Sequence, residues 1–87
     1  MYGLIFGDEF LSSVKKLDGK LKRRVNASLK LLEENPFHPK LHTKPLQGRL
    51  VGFYSSRVGR GYRIVFRFSQ NNTIILLKAA PRGEIYK

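Results

Sequence analysis

Eighty-seven residues, 41% apolar and 26% charged, suit one small globular domain over residues 1–87, not a disordered chain. The longest apolar run, residues 74–77, is four residues, against the roughly 20 that a membrane-spanning helix needs; there is no cysteine for a disulfide or thiolate metal site, and with no secretory signal at the start the expected location is the cytoplasm. Seventeen Lys and Arg against six Asp and Glu leave a net charge of +11, a self-repelling excess that points to a polyanion or an acidic partner.

In chain order, residues 2–6 alternate partly and predict a short strand. Asp8 or the Ser12/Ser13 pair then opens a helix whose apolar face is Phe10, Val14 and Leu17. Asp18-Gly19 breaks that pattern, and Asp18 is placed to cap a second helix with the stripe Leu21, Val25, Leu29 and Leu32. This helix ends at Asn35, because Pro36 disfavours helical geometry in the residue before it. The two helices form an antiparallel pair.

Residues 36–48 read as a loop with three prolines, two histidines and no period. Strand preference follows: residues 50–57, a turn at 58–61, then 62–68 with strict alternation. Tyr62, Ile64, Phe66 and Phe68 share one face; Arg63, Val65 and Arg67 share the other. A turn at Gln70-Asn71-Asn72 leads to a third strand, 73–80, ended by Pro81, and a short tail segment at 84–86. The expected fold is α+β: a twisted, largely antiparallel sheet with the helix pair on one face. The other face, carrying Arg63 and Arg67, is expected to be open and basic, a docking surface for phosphate backbone.

The charge is uneven. Residues 1–43 hold eight bases and five acids, while residues 44–87 hold nine bases and one acid, Glu84. The acids are too scattered for a carboxylate metal cage, and His38 and His42 make no metal-binding spacing, so neither metal nor cofactor is expected. No Ser-His-Asp or Cys-His set is present. What the basic half offers is arginine with tyrosine: Arg57, Arg60, Arg63, Arg67 and Arg82 among Tyr54, Tyr62 and Tyr86. Guanidinium groups fork onto phosphate oxygens and aromatic faces stack unpaired bases.

Three stretches together resemble one known family. Phe10, Val14 and Leu17, then Leu32-Glu33-Glu34-Asn35-Pro36, then Pro45-Leu46-Gln47-Gly48, are similar to the N-terminal half of the RelE/ParE superfamily of bacterial toxins. Residues 52–59 followed by 61–66 resemble its central strand pair, and Arg82-Gly83-Glu84-Ile85-Tyr86 its closing Arg-x-x-x-Tyr motif. The resemblance implies the toxin of a type II toxin–antitoxin system. A RelE-like member is a ribosome-dependent, metal-free endoribonuclease that cuts messenger RNA in the A site, by attack of the ribose 2′-OH on the adjacent phosphate. Its partners are then the ribosome, mRNA and an acidic antitoxin.

On this resemblance Arg63 matches the arginine that grips the scissile phosphate, Arg82 an arginine that contacts phosphate or assists the leaving oxygen, and Tyr86 the tail tyrosine that stacks on a base or moves a proton. Arg57, Arg60, Arg67 and Tyr54 are the expected RNA-binding residues. Two departures stand out. Where some RelE nucleases carry two lysines this sequence has Tyr54 and Ser56, and Pro81 stands where others have histidine, so the general base is unassigned. Two alternatives remain: a ParE-like inhibitor of DNA gyrase, which needs no nuclease residues, and a non-catalytic RNA-binding module.

Overall fold

A computed structural model describes residues Met1–Ile85. Strand β1 (Gly3–Phe6) leads into helices α1 (Asp8–Lys15) and α2 (Gly19–Glu34). After them come β2 (Lys44–Pro45), β3 (Tyr54–Val58), β4 (Tyr62–Ser69), β5 (Thr73–Pro81) and the short helix α3 (Arg82–Ile85). The strands form one sheet in the order β1-β5-β4-β3-β2. Its β1–β5 pairing is parallel and the rest are antiparallel, as the pattern of alternation led one to expect for the hairpins.

Local chemistry sets the helix boundaries. Gly7 turns the chain from β1 into α1 where its backbone touches β5: its N–H donates to the Leu76 carbonyl at 3.0 Å. A Cβ there would lie 2.7 Å from the same oxygen, so only glycine fits. The Asp18 carboxylate accepts from the Leu21 N–H at 2.8 Å and caps α2. At the other end Asn35 leaves helical geometry just before Pro36. The β4–β5 turn is made by Asn71 and Asn72, both with positive φ (58° and 51°), the geometry of a tight hairpin.

α1 packs along β5 and α2 along β3, and they cover the same sheet face. Phe10, Val25 and Leu32 meet Val58, Ile64, Phe66, Ile74 and Leu76 there in the main core. Beyond Leu76 the edge of β5 has no β1 beside it, and α1 takes over: Ser13 Oγ accepts from the Ala79 N–H at 3.0 Å.

The structure departs from the sequence reading in three places. The predicted strand at 50–57 begins only at Tyr54, because residues Gly48–Leu50 form a 3₁₀ turn and Gly52 takes a φ of 93°. The supposed loop at 36–48 holds a 3₁₀ turn at Pro39–Leu41 and strand β2, with Leu41 buried in the main core. Most consequentially, the second sheet face is not open. Leu46, Ala80 and Ile85 close over Val65 in a second core, with Leu50, Phe53 and Leu77 at its margin. The segment from Leu46 to Phe53, closed on itself by the Leu46 N–H to Phe53 carbonyl bond at 2.9 Å, and α3 supply the cover.

Candidate nucleic-acid interface

Strand register decides which cations meet. Arg57 on β3 is directly opposite Arg63 on β4, and Arg63 is directly opposite Ala80 on β5. Two residues beyond Ala80 the Arg82 N–H donates to the Gly61 carbonyl at 2.7 Å, which fastens the start of α3 to the β3–β4 turn. Backbone pairing thus brings Arg57, Arg63 and Arg82 to one end of the sheet. Arg60 sits in the turn beside them.

Their side chains differ sharply in exposure. Arg57, Arg60 and Arg82 are exposed, whereas Arg63 is only 5% exposed. The Arg63 Nε donates to Ser55 Oγ at 2.8 Å, and its Nη2 to the carbonyl oxygens of His42 at 2.7 Å and Ser55 at 3.1 Å. Here the guanidinium is a clamp between β4, β3 and the chain leading into β2, instead of the solvent-facing fork that the alternation suggested. Taking a cation out of water requires such bonds, and these supply them.

Two of the residues singled out in the sequence lie elsewhere. Tyr54 faces the helix side, in an aromatic cluster with Phe37, Phe66 and Phe68 at centroid distances of 5.2–5.9 Å. It therefore lies on the opposite face from Arg57 and Arg63, since alternate residues of a strand point apart. Ser56 faces the same way and is wholly buried. A side chain at either position cannot reach a substrate on the second face. Arg67 is exposed and paired with Ile75, four residues along β4 from Arg63 and so about 13 Å away. Tyr86 lies outside the described residues.

Two cations that the sequence reading passed over line a hollow on the second face. Arg49 and Lys78 border a space of about 510 Å³ together with Gln47, Gly48, Leu50, Glu84 and Ile85. Lys78 is directly opposite Val65, so it stands beside the Arg63 position on the same face. Arg49 sits in an irregular segment with no period to mark it; Lys78 was hidden because the β-bulge between Val65 and Phe66 shifts the register of β5. Among the described residues no ion pair engages Arg49, Arg57, Arg82 or Lys78, and no group of three or more His, Asp or Glu could hold a metal ion. No helix of the described residues is long and apolar enough to cross a membrane.

A five-stranded mixed sheet, helices on one face and a basic end built from β3, β4 and the chain after β5 define an α+β domain with a cationic edge. Residues 4–86 match the family described as the ParE toxin of the type II toxin–antitoxin system, parDE. Toxin RelK of Mycobacterium tuberculosis (strain ATCC 25618 / H37Rv) is 32% identical over 62 residues, 71% of this chain and 72% of that one. Toxin YoeB of Synechocystis sp. (strain ATCC 27184 / PCC 6803 / Kazusa) is 29% identical over 59 residues, 68% of this chain and 69% of that one. The toxin in the archaeal RelE–RelB complex from Pyrococcus horikoshii OT3 superposes with a TM-score of 0.79 at 25% identity, covering 94% of this chain and 96% of that one. The chain belongs to the RelE/ParE superfamily of type II toxins.

Proposed function

We propose that this toxin is a ribosome-dependent endoribonuclease that cleaves mRNA by internal attack of the ribose 2′-OH. In that reaction the 2′-oxygen forms a bond to phosphorus and the bond to the 5′-oxygen breaks. The 2′-OH proton leaves to a base and the departing 5′-oxygen gains one, giving a 2′,3′-cyclic phosphate and a 5′-OH. The barrier falls when fixed positive charge faces the phosphorane-like state.

The observation that carries the reading is the register of Arg57, Arg63 and Ala80, with the Arg82 amide on the Gly61 carbonyl. Arg57 and Arg82, exposed and without ion-pair partners among the described residues, contact the phosphate. Arg63 adds charge from beneath and holds the neighbouring backbone. Lys78 and Arg49 bind the strand as it passes the hollow, and Arg60 binds backbone at the turn. The role that the family resemblance gives Tyr86 is to stack on a base or to take the proton. An antitoxin partner is supported by the archaeal relative, whose structure is a RelE–RelB complex. A polypeptide that neutralises this toxin is acidic where it touches the arginines.

The experiment is a translation extract charged with end-labelled messenger. Cleavage only when ribosomes are present, with cyclic phosphate and 5′-OH ends, supports the reading. The second reading, inhibition of DNA gyrase, draws on the ParE description of the matching family and on Arg63, whose burial that activity does not contradict. Loss of gyrase supercoiling with intact messenger would select it.

A further inference from the structure

We propose that the exposed crest of α2 and the β3–β4 turn form a second RNA-binding surface, which holds the backbone of a double-helical RNA beside the reactive end of the sheet. The choice of RNA rests on the ribosome-dependent reading above; the surface itself rests on geometry.

α2 climbs along β3 one turn at a time. Ser28 Oγ donates to the Arg57 carbonyl at 3.4 Å. One turn earlier, the Arg24 guanidinium lies on Gly59, whose φ is 61°: a Cβ at Gly59 would stand 2.7 Å from Arg24 Nη1 and 3.4 Å from its Cδ. The absence of a side chain at Gly59 is what lets the arginine lie there. One turn earlier again comes Lys20, and Arg23 shares its helical face. The crest of α2 is thereby joined to the turn that carries Arg60 and follows Arg57. Lys20, Arg23, Arg24, Arg57 and Arg60 are all exposed, and among the described residues none of their side chains has an ion-pair or hydrogen-bond partner.

The composition of this surface selects its occupant. Protein interfaces need an apolar or aromatic anchor at their centre. Among the described residues the large exposed apolar ones are Met1, Ile5, Phe6, Leu11, Phe37 and Val51, none of which lies on the crest or the turn. The residues between the cations are small: Ala27, Gly59 and Gly61. Single-stranded RNA is held by stacking on aromatic rings as well as by charge. The aromatic residue next to the turn, Tyr62, packs instead against the main core. What remains is a set of exposed cations on a helix crest and the adjoining turn, suited to the phosphates along a duplex and indifferent to base identity.

The test measures binding of the full chain to a labelled RNA hairpin stem by fluorescence anisotropy across a salt series. Each phosphate contact contributes about 0.9 to the slope of log K against log salt. The variant Lys20→Ala/Arg23→Ala/Arg24→Ala is expected to lose about 2–3 from that slope and about tenfold or more in affinity. Lys15→Ala/Lys16→Ala/Lys40→Ala, an equal loss of charge from exposed positions off the crest and the turn, is expected to lose less than about 1. Far-ultraviolet circular dichroism confirms that each variant remains folded. Equal losses in the two variants, tighter binding of single-stranded RNA or of a DNA duplex, or preference for an acidic polypeptide over the stem would each overturn the proposal. Ribosome-dependent cleavage by the unaltered chain is read separately. A chain that does not cut messenger but shows the difference in slopes retains this surface and loses the earlier reading.

Discussion

Arg63 Nη2 donates to the carbonyl of His42 at 2.7 Å, a contact between residues twenty-one positions apart that fixes how the chain enters β2. His42 itself is left-handed, with φ 47° and ψ 45°, a conformation that a non-glycine residue holds only when its surroundings enforce it. The clamp and the unusual backbone are two sides of one arrangement: the left-handed turn presents the carbonyl, and the buried guanidinium holds it. Arg63→Ala leaves Ser55 Oγ and the His42 carbonyl without this donor. The expected cost is about 2–3 kcal/mol. In a domain of this size that lowers the melting temperature by about 10–20 °C, readable by thermal denaturation. A variant that melts with the parent chain would mean that the clamp adds nothing. For the same reason, lost cleavage in Arg63→Ala counts as catalytic only if the variant is shown to be folded at the assay temperature.

The His42 side chain takes no part in that contact, so the backbone alone explains its geometry. Glycine adopts the left-handed region freely, while a β-branched residue resists it. His42→Gly is therefore expected within about 0.5 kcal/mol of the parent, relief of strain offsetting the added freedom of the unfolded chain. His42→Val should cost about 1–2 kcal/mol. Urea midpoints of the two variants supply the comparison; equal midpoints would show that the turn is not strained.

Neighbouring serines on β3 give the next contrast. Ser55 Oγ accepts from Arg63 Nε at 2.8 Å, whereas Ser56 Oγ, equally buried, has no hydrogen-bond partner among the described residues. Removing a buried acceptor from a charged donor costs about 1.5–3 kcal/mol, while removing a desolvated, unsatisfied hydroxyl costs little or is favourable. Ser55→Ala should thus destabilise, and Ser56→Ala should leave the midpoint unchanged or raise it by up to about 1 kcal/mol. Denaturation of the two single variants reverses in order if the assignment of faces is wrong.

These contrasts also show which parts of the molecule were legible in the sequence. Asp18 as a cap, the stripe from Leu21 to Leu32, Asn35 before Pro36 and the Asn71-Asn72 turn are set by residues within a few positions of one another, and the structure has each of them. The alternation of β4 correctly separated Ile64 and Phe66 from Arg63 and Val65. What alternation cannot report is what lies above a face. Arg63 looked solvent-facing because the His42 carbonyl that holds its guanidinium comes from irregular chain whose only order is tertiary. The site was legible in part for the same reason. Arg57 and Arg82 follow from strand ends, but Tyr54 was placed with them only by residue type, and its face belongs to the aromatic cluster.

The division between a buried and two exposed arginines yields the most direct test of the proposed chemistry. Arg57 and Arg82 have no ion-pair partners among the described residues, so truncating either removes little that holds the fold together. Surface substitutions of this kind usually stay within about 0.5 kcal/mol. A guanidinium that meets charge in the transition state is worth far more, about 10²–10³ in rate for one lost donor. Arg57→Ala and Arg82→Ala are therefore expected to melt with the parent chain and to cleave ribosome-bound messenger at least about tenfold more slowly, the larger loss falling on the residue nearer the scissile phosphate. Tyr86→Phe, which keeps the ring and removes the hydroxyl, separates stacking from proton transfer: an unchanged single-turnover rate leaves only the stacking role. Should both arginine variants cut at the parental rate while remaining folded, the positive end of the sheet is not where the phosphodiester breaks, and Lys78 with Arg49 across the hollow becomes the place to look.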